Sequence, residues 1–124
     1  MSERIAIIDF ETTGMSPTHG ARAAEVGIVV VEGGRIVDRF QSLMNAGQSM
    51  PWQITQLTGI TSAMVRGAPP AEQLMRDAWR FVAGAPMIAH NASFDSKFWR
   101  DELERADCDA SQIFACTVLL SRRL

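Results

Sequence analysis

"IAIIDFETTG", Ile5 to Gly14, opens as an apolar run and ends in two carboxylates, Asp9 and Glu11, followed by two threonines and a glycine. Near-continuous apolar character over residues 4–9 is the pattern of a strand covered on both faces, which places it centrally in a sheet. Asp9 and Glu11 stand two positions apart, so a strand that persists through Glu11 sends both side chains out of one face. Like charges held there cost stability unless protons or cations compensate, and a hard divalent ion with oxygen ligands is the usual compensation. Taken alone the pair is a weak motif, equally compatible with two solvated acids at a strand end.

Working outward, residues 26–31 (VGIVVV) and 35–43 (RIVDRFQSL) flank Glu32-Gly33-Gly34. Gly-Gly between β-rich runs is a hairpin signal because both turn positions accept positive φ, so the first three strands are expected to form an antiparallel meander. Residues 45–69 are rich in Gly, Pro, Ser, Thr and Gln and read as a long connection with one or two short helical turns. From Pro70 to Val82 the residues Leu74, Met75, Ala78, Trp79 and Val82 recur at helical spacing, and Gly84 and Pro86 stop the element. Residues 87–90 (MIAH) make a short strand, Asn91 caps a second helix through Arg105, and 112–116 (QIFAC) suggest a fifth strand. Thr117 onward reads as the opening of another helix. The order β-β-β-α-β-α-β implies an α/β protein whose later strands return through helical crossovers beside the first.

A chain of 124 residues supports one domain, residues 1–124, burying about 65% of its unfolded surface. Its 47% apolar and 21% charged residues are ordinary for a globular protein, and no apolar run is long enough to span a membrane. With no apolar signal core before Asp9, a cytoplasmic protein is expected, and Cys108 and Cys116 read as free thiols. The net charge of −2, from 14 acids and 12 bases, is not the footprint of a protein that holds long duplexes by counterion release. A short nucleic-acid end remains compatible, because bound cations reverse the charge where acids cluster.

The second constellation is "HNASFD", His90 to Asp95, at a strand-to-helix junction. Singly, Asp95 reads as an acid favoured by the helix dipole, Asn91 as a cap and His90 as a satisfied ring. Together with the first constellation they suggest more: a central strand and a neighbouring junction can bring Asp9, Glu11 and Asp95 to one edge of the sheet. Such a trio suits a two-metal phosphoryl-transfer site with ions about 3.5–4 Å apart, Asp9 bridging them.

"DFETTG" at 9–14 and "HNASFD" at 90–95 resemble the first and second motifs of the DnaQ-like, or DEDD, 3′-to-5′ exonuclease family, which includes the epsilon subunit of bacterial DNA polymerase III and ribonuclease T. "AAEVGIVVVEGGRIVDRFQSLMNAG", "QITQLTGITSAMV" and "CTVLLSRRL" extend the resemblance over most of the chain. It implies an RNase H-like fold and hydrolysis of terminal phosphodiesters by two Mg²⁺ or Mn²⁺ ions, with Asp9, Glu11 and Asp95 as metal ligands and catalytic residues. Phe10, Thr12, Thr13 and Gly14 would then approach the terminal nucleotide. Ile60 would wedge against a base or sugar, and His90, Asn91 and Phe94 would line the neighbouring wall. Turn chemistry for Thr12 to Gly14, and packing for Ile60 and Phe94, are the competing roles.

The resemblance departs at the family's third motif, which supplies a fourth carboxylate and a His or Tyr general base. This chain has no Tyr, and its two histidines, His19 and His90, precede Asp95. Asp101, Glu102, Glu104, Asp107 and Asp109 follow it but read as a solvated helix face and turn, and His19 sits in a Pro- and Gly-containing loop. The chain therefore reads as a piece of a longer domain that lacks the C-terminal helices. The expected function is a metal-dependent 3′-5′ exonuclease acting on single-stranded ends, DNA somewhat favoured over RNA. Arg22, Arg66, Lys97 and Arg100 are candidates for backbone phosphates, and a DNA polymerase or replication protein is a candidate partner. The alternative is a catalytically impaired module that binds nucleic acid or a polymerase on the same scaffold; a phosphohydrolase of small nucleotides is a third option.

Overall fold

The computed structural model describes residues 3–112 and 114–116. Strands β1 (Arg4–Thr12), β2 (Ala23–Glu32) and β3 (Arg35–Leu43) form the expected antiparallel meander. Two short strands, β4 (Met87–Ala89) and β5 (Phe114–Cys116), add in parallel on the other side of β1. The order is β3-β2-β1-β4-β5, so β1 is the central strand. Gly33 and Gly34 adopt φ of 59° and 76°, the pair of positive values that a two-residue hairpin turn needs.

The long connection carries two short helices, α1 (Trp52–Thr58) and α2 (Ser62–Arg66), and the crossovers supply α3 (Ala71–Val82) and α4 (Ala92–Arg105). Asn91 caps α4 as expected, its side chain accepting the Phe94 N–H. Ile8, Phe10, Val26 and Ile28 of the sheet pack against Met75, Ala78 and Val82 of α3 and Phe98, Trp99 and Leu103 of α4.

Coverage of β1 differs from expectation. Ala6, Ile8, Phe10 and Thr12 are buried, but Ile7 is 38% exposed and Asp9 is exposed, so the described helices cover only one face. Both crossovers, β3 to β4 and β4 to β5, step in the same direction along the sheet, and right-handed connections made in one direction lay their helices on one face. A run of isoleucines cannot reveal this, because it is apolar on both sides whichever side is covered.

Glu102 is a second correction: among the acids read as a solvated face, it is 1% exposed. Arg22 binds it with both arms of its guanidinium, Nε to Oε2 at 2.9 Å and Nη2 to Oε1 at 2.8 Å, and the Ala23 N–H donates to Oε2 at 3.1 Å. Arg22 is thereby committed to a protein partner rather than to a backbone phosphate. Among the described residues no helix is long and apolar enough to cross a membrane. The helix expected from Thr117 onward lies outside the described residues.

One-sided coverage has a measurable signature. Ile8→Ala should cost about 2–5 kcal/mol in urea unfolding, as buried isoleucine truncations do, whereas Ile7→Ala should cost less than about half as much.

Candidate active site

Alternation along β1 sends Asp9 and Glu11 to the open face. The pairing with β2 decides what lies beside them: Asp9 faces Gly27, which has no side chain, and Glu11 faces Glu25. Directly opposed like charges destabilise a strand pair. Glu11 accordingly has its carboxyl raised above the ordinary range, chiefly by burial and then by the charges of Asp9 and Glu25. Glu25 is an acid of this edge that sequence reasoning missed. The signal was present in "AEVG", but only the strand register turns Glu25 toward Glu11.

Immediately past this pair the sheet is interrupted by a bulge. Glu11 pairs with Glu25 and Thr12 with Ala23, so Ala24 has no opposite residue. Bulges commonly re-aim side chains beside functional sites. Here Ala24 turns into a second small core with Met50, Ile60 and Val65, which anchors the α1–α2 connection next to the acids. Ile60 is 4% exposed in that core, so the structure places it in packing.

Asp95 enters from the first turn of α4. It is 3% exposed, and its Oδ1 accepts the Phe10 backbone N–H at 3.1 Å, across 85 residues of sequence. The parallel pairing of β1 with β4 reaches only Ile7 and Ile88, so the Phe10 N–H would otherwise lose its partner where the strands diverge. Burial pushes the Asp95 carboxyl up to about 6, and the charges of Asp9 and Glu11 push the same way. The Phe10 N–H and the His90 ring oppose the shift.

The other expected residues divide between wall and scaffold. Phe10 is buried, 6.4 Å from Phe98 between ring centroids, and half-buried Phe94 packs at a tilt against Phe98 at 5.0 Å, so both rings join the core. His90 and Asn91 are exposed beside Asp95. Thr12 Oγ1 donates to the Gly14 carbonyl at 2.6 Å. Thr13 Oγ1 donates to Gln48 at 3.0 Å and accepts the Arg22 N–H at 2.9 Å, which braces the turn. A Cβ on Gly14 would sit 3.3 Å from that of Ala21, so a side chain there would press this packing. Just beyond, Met15 is 81% exposed on the rim of a recess of about 340 Å³ that Thr13, Ser16, His19 and Gln48 help to line. A larger recess of about 530 Å³ beside Trp79, Arg80 and Asp109 contains none of the four clustered acids.

Oxygen-only donors on the accessible acids Asp9, Glu11 and Glu25 and on buried Asp95, with no Lys or Arg bridge to any of the four among the described residues, fit a hard divalent cation. As the side chains stand, no three His, Cys, Asp or Glu among the described residues form a group able to hold an ion. The structure therefore brings Asp95 against the strand of Asp9 and Glu11 without closing them into one ligand set.

Asp95 also sets a pH dependence. An acid at about 6 in the fold and near 3.8 in the unfolded chain binds its proton more tightly when folded. Its contribution to stability is fully present below about pH 4 and is lost as pH rises through about 6. Urea titrations of metal-free protein should show that, relative to Asp95→Asn, the wild type loses stability across this window.

An exonuclease family model, RNase_T, matches residues 6–124. The chain is 38% identical over 125 residues to the 3′-5′ exonuclease DinG of Bacillus subtilis, covering 97% of this chain and 13% of that protein. It is 40% identical over 96 residues to a DNA polymerase III subunit epsilon-like protein of Rhodobacter capsulatus, covering 76% of this chain and 14% of that protein. The chain thus spans under a fifth of the length of these curated relatives. Among solved structures, E. coli exonuclease I in complex with a dA16 oligonucleotide superposes with a TM-score of 0.84 at 14% identity, over 98% of this chain and 29% of that one. The zinc-bound form of the E. coli exonuclease I–ssDNA complex gives 0.85 at 14% identity, over 99% and 30%. These likenesses establish the RNase H-like fold, and with the family match over residues 6–124 the chain belongs to the DnaQ-like exonuclease family.

Proposed function

We propose that this chain is the nuclease portion of a metal-dependent 3′-5′ exonuclease that hydrolyses terminal phosphodiesters of single-stranded ends, DNA somewhat favoured over RNA. The observation that carries the reading is the Asp95–Phe10 bond, which seats a buried acid against the strand of Asp9 and Glu11. Two Mg²⁺ or Mn²⁺ ions held by Asp9, Glu11 and Asp95 would supply an activated water and neutralise charge on the departing oxygen. The chain's own residues do the rest. The Thr12–Gly14 turn keeps backbone close to the terminal sugar, and exposed His90 and Asn91 line the approach to Asp95. Met15 offers an apolar surface on which a base can rest. An open edge suits a strand end better than a free nucleotide, and a cytoplasmic place beside a DNA polymerase or other replication protein accompanies the reading.

One observation favours a second reading, a binding module that does not cut: among the described residues Asp9, Glu11 and Asp95 are not closed into one ligand set. The two are separated by Mn²⁺-dependent degradation of a 5′-labelled oligonucleotide, by this chain and by the chain with whatever sequence flanks it. The first reading expects stepwise loss from the 3′ end, and Asp9→Asn or Glu11→Gln slowing it by at least about 100-fold. No cutting in either form, with Mn²⁺ binding still weakened by Asp95→Asn, would leave the second reading in place.

A further inference from the structure

The most deeply buried acid among the described residues plays no part in the chemistry above. Glu102 lies seven residues after Asp95 on α4, two helical turns, which returns its side chain to the same face about 10 Å along the axis. Phe98 and Trp99, both 0% exposed, fill the face between them. Each acid reaches out of the helix to a backbone N–H of the sheet: Asp95 to Phe10 on β1, Glu102 to Ala23 at the start of β2. Glu102 then takes both arms of Arg22, whose backbone N–H and carbonyl are bonded to Thr13 in the "DFETTG" turn. Arg22 is further tied to the Ala46 carbonyl at 3.4 Å.

Burying an ion pair brings little net stability, since desolvation offsets most of the attraction. What it brings is direction: a two-pronged guanidinium–carboxylate contact tolerates little sliding or rotation. We propose that Arg22 and Glu102 are positioning residues for the acid edge, fixing the seat of α4 on the sheet so that Asp95 meets Phe10 and the Thr13 turn stays against Glu11. The part of this that concerns metal rests on the proposed function; the part that concerns the seat of α4 does not.

The test uses Arg22→Met/Glu102→Met, because removing one partner alone strands a buried charge and endangers folding, whereas an apolar pair of similar volume is commonly tolerated. Amide hydrogen exchange in the metal-free protein is read at Phe10, with Ile28 in the middle of β2 as the control for global opening. The expected result is exchange at least about 10-fold faster at Phe10 with Ile28 unchanged, together with Mn²⁺ affinity weaker by about 10–100-fold, the usual cost of losing groups that orient ligands. Arg22→Lys, which keeps the charge but replaces the two-pronged fork with a single ammonium, should fall between wild type and the double variant, and it serves if the double variant does not fold. Unchanged Phe10 exchange in a folded variant would overturn the positioning role. Faster Phe10 exchange with unchanged Mn²⁺ affinity would overturn its link to metal. If wild type itself binds no Mn²⁺, the metal reading fails and Phe10 exchange alone decides the seat of α4.

Discussion

A single hydrogen bond, from the Phe10 N–H to the Asp95 carboxylate, joins the two halves of this site across 85 residues. It exists because β4 is short. Pairing with β1 stops at Ile7 and Ile88, and the next inward-facing amide of β1 must find another acceptor or remain buried and unpaired. The first turn of α4 supplies that acceptor. The same bond that completes the sheet therefore delivers a carboxylate to the strand carrying Asp9 and Glu11, and structural need and chemical placement coincide.

The electrostatic cost is concentrated in the same place. Asp9, Glu11 and Glu25 share the open face near the C-terminal end of β1, and Asp95 adds a fourth acid whose carboxyl is pushed up by burial and by its neighbours. Elsewhere the protein neutralises a buried acid in the ordinary way, with Arg22 enclosing Glu102. No Lys or Arg encloses the acid edge in this way among the described residues, and the His90 ring offsets the charge of Asp95 only in part. A fold that pairs one buried carboxylate and leaves four others crowded has kept local negative potential where a divalent cation or a proton can answer it.

The turn after Glu11 shows how the surroundings are organised to hold that edge. The β1–β2 bulge turns Ala24 into the small core with Met50, Ile60 and Val65, while Thr13 braces the turn to Arg22 and Gln48. Ile60 and Phe10 contribute by packing. Met15 stands exposed on the rim of the neighbouring recess.

Local patterns determined the elements. The Gly33-Gly34 turn, the helical stripe from Leu74 to Val82, the Asn91 cap and the two-residue spacing of Asp9 and Glu11 were all legible, because each depends on φ preference or side-chain periodicity within a few residues. The family likeness carried the fold and the second acid segment with it. What sequence could not show is anything decided by which residue stands opposite which. Glu25 faces Glu11 through strand register, the isoleucines of β1 are covered on one side through crossover direction, and Glu102 is buried because Arg22 waits beneath it. A charge inside a polar helix face looks the same on paper whether it meets water or a guanidinium, and only the packing of distant segments tells the two apart.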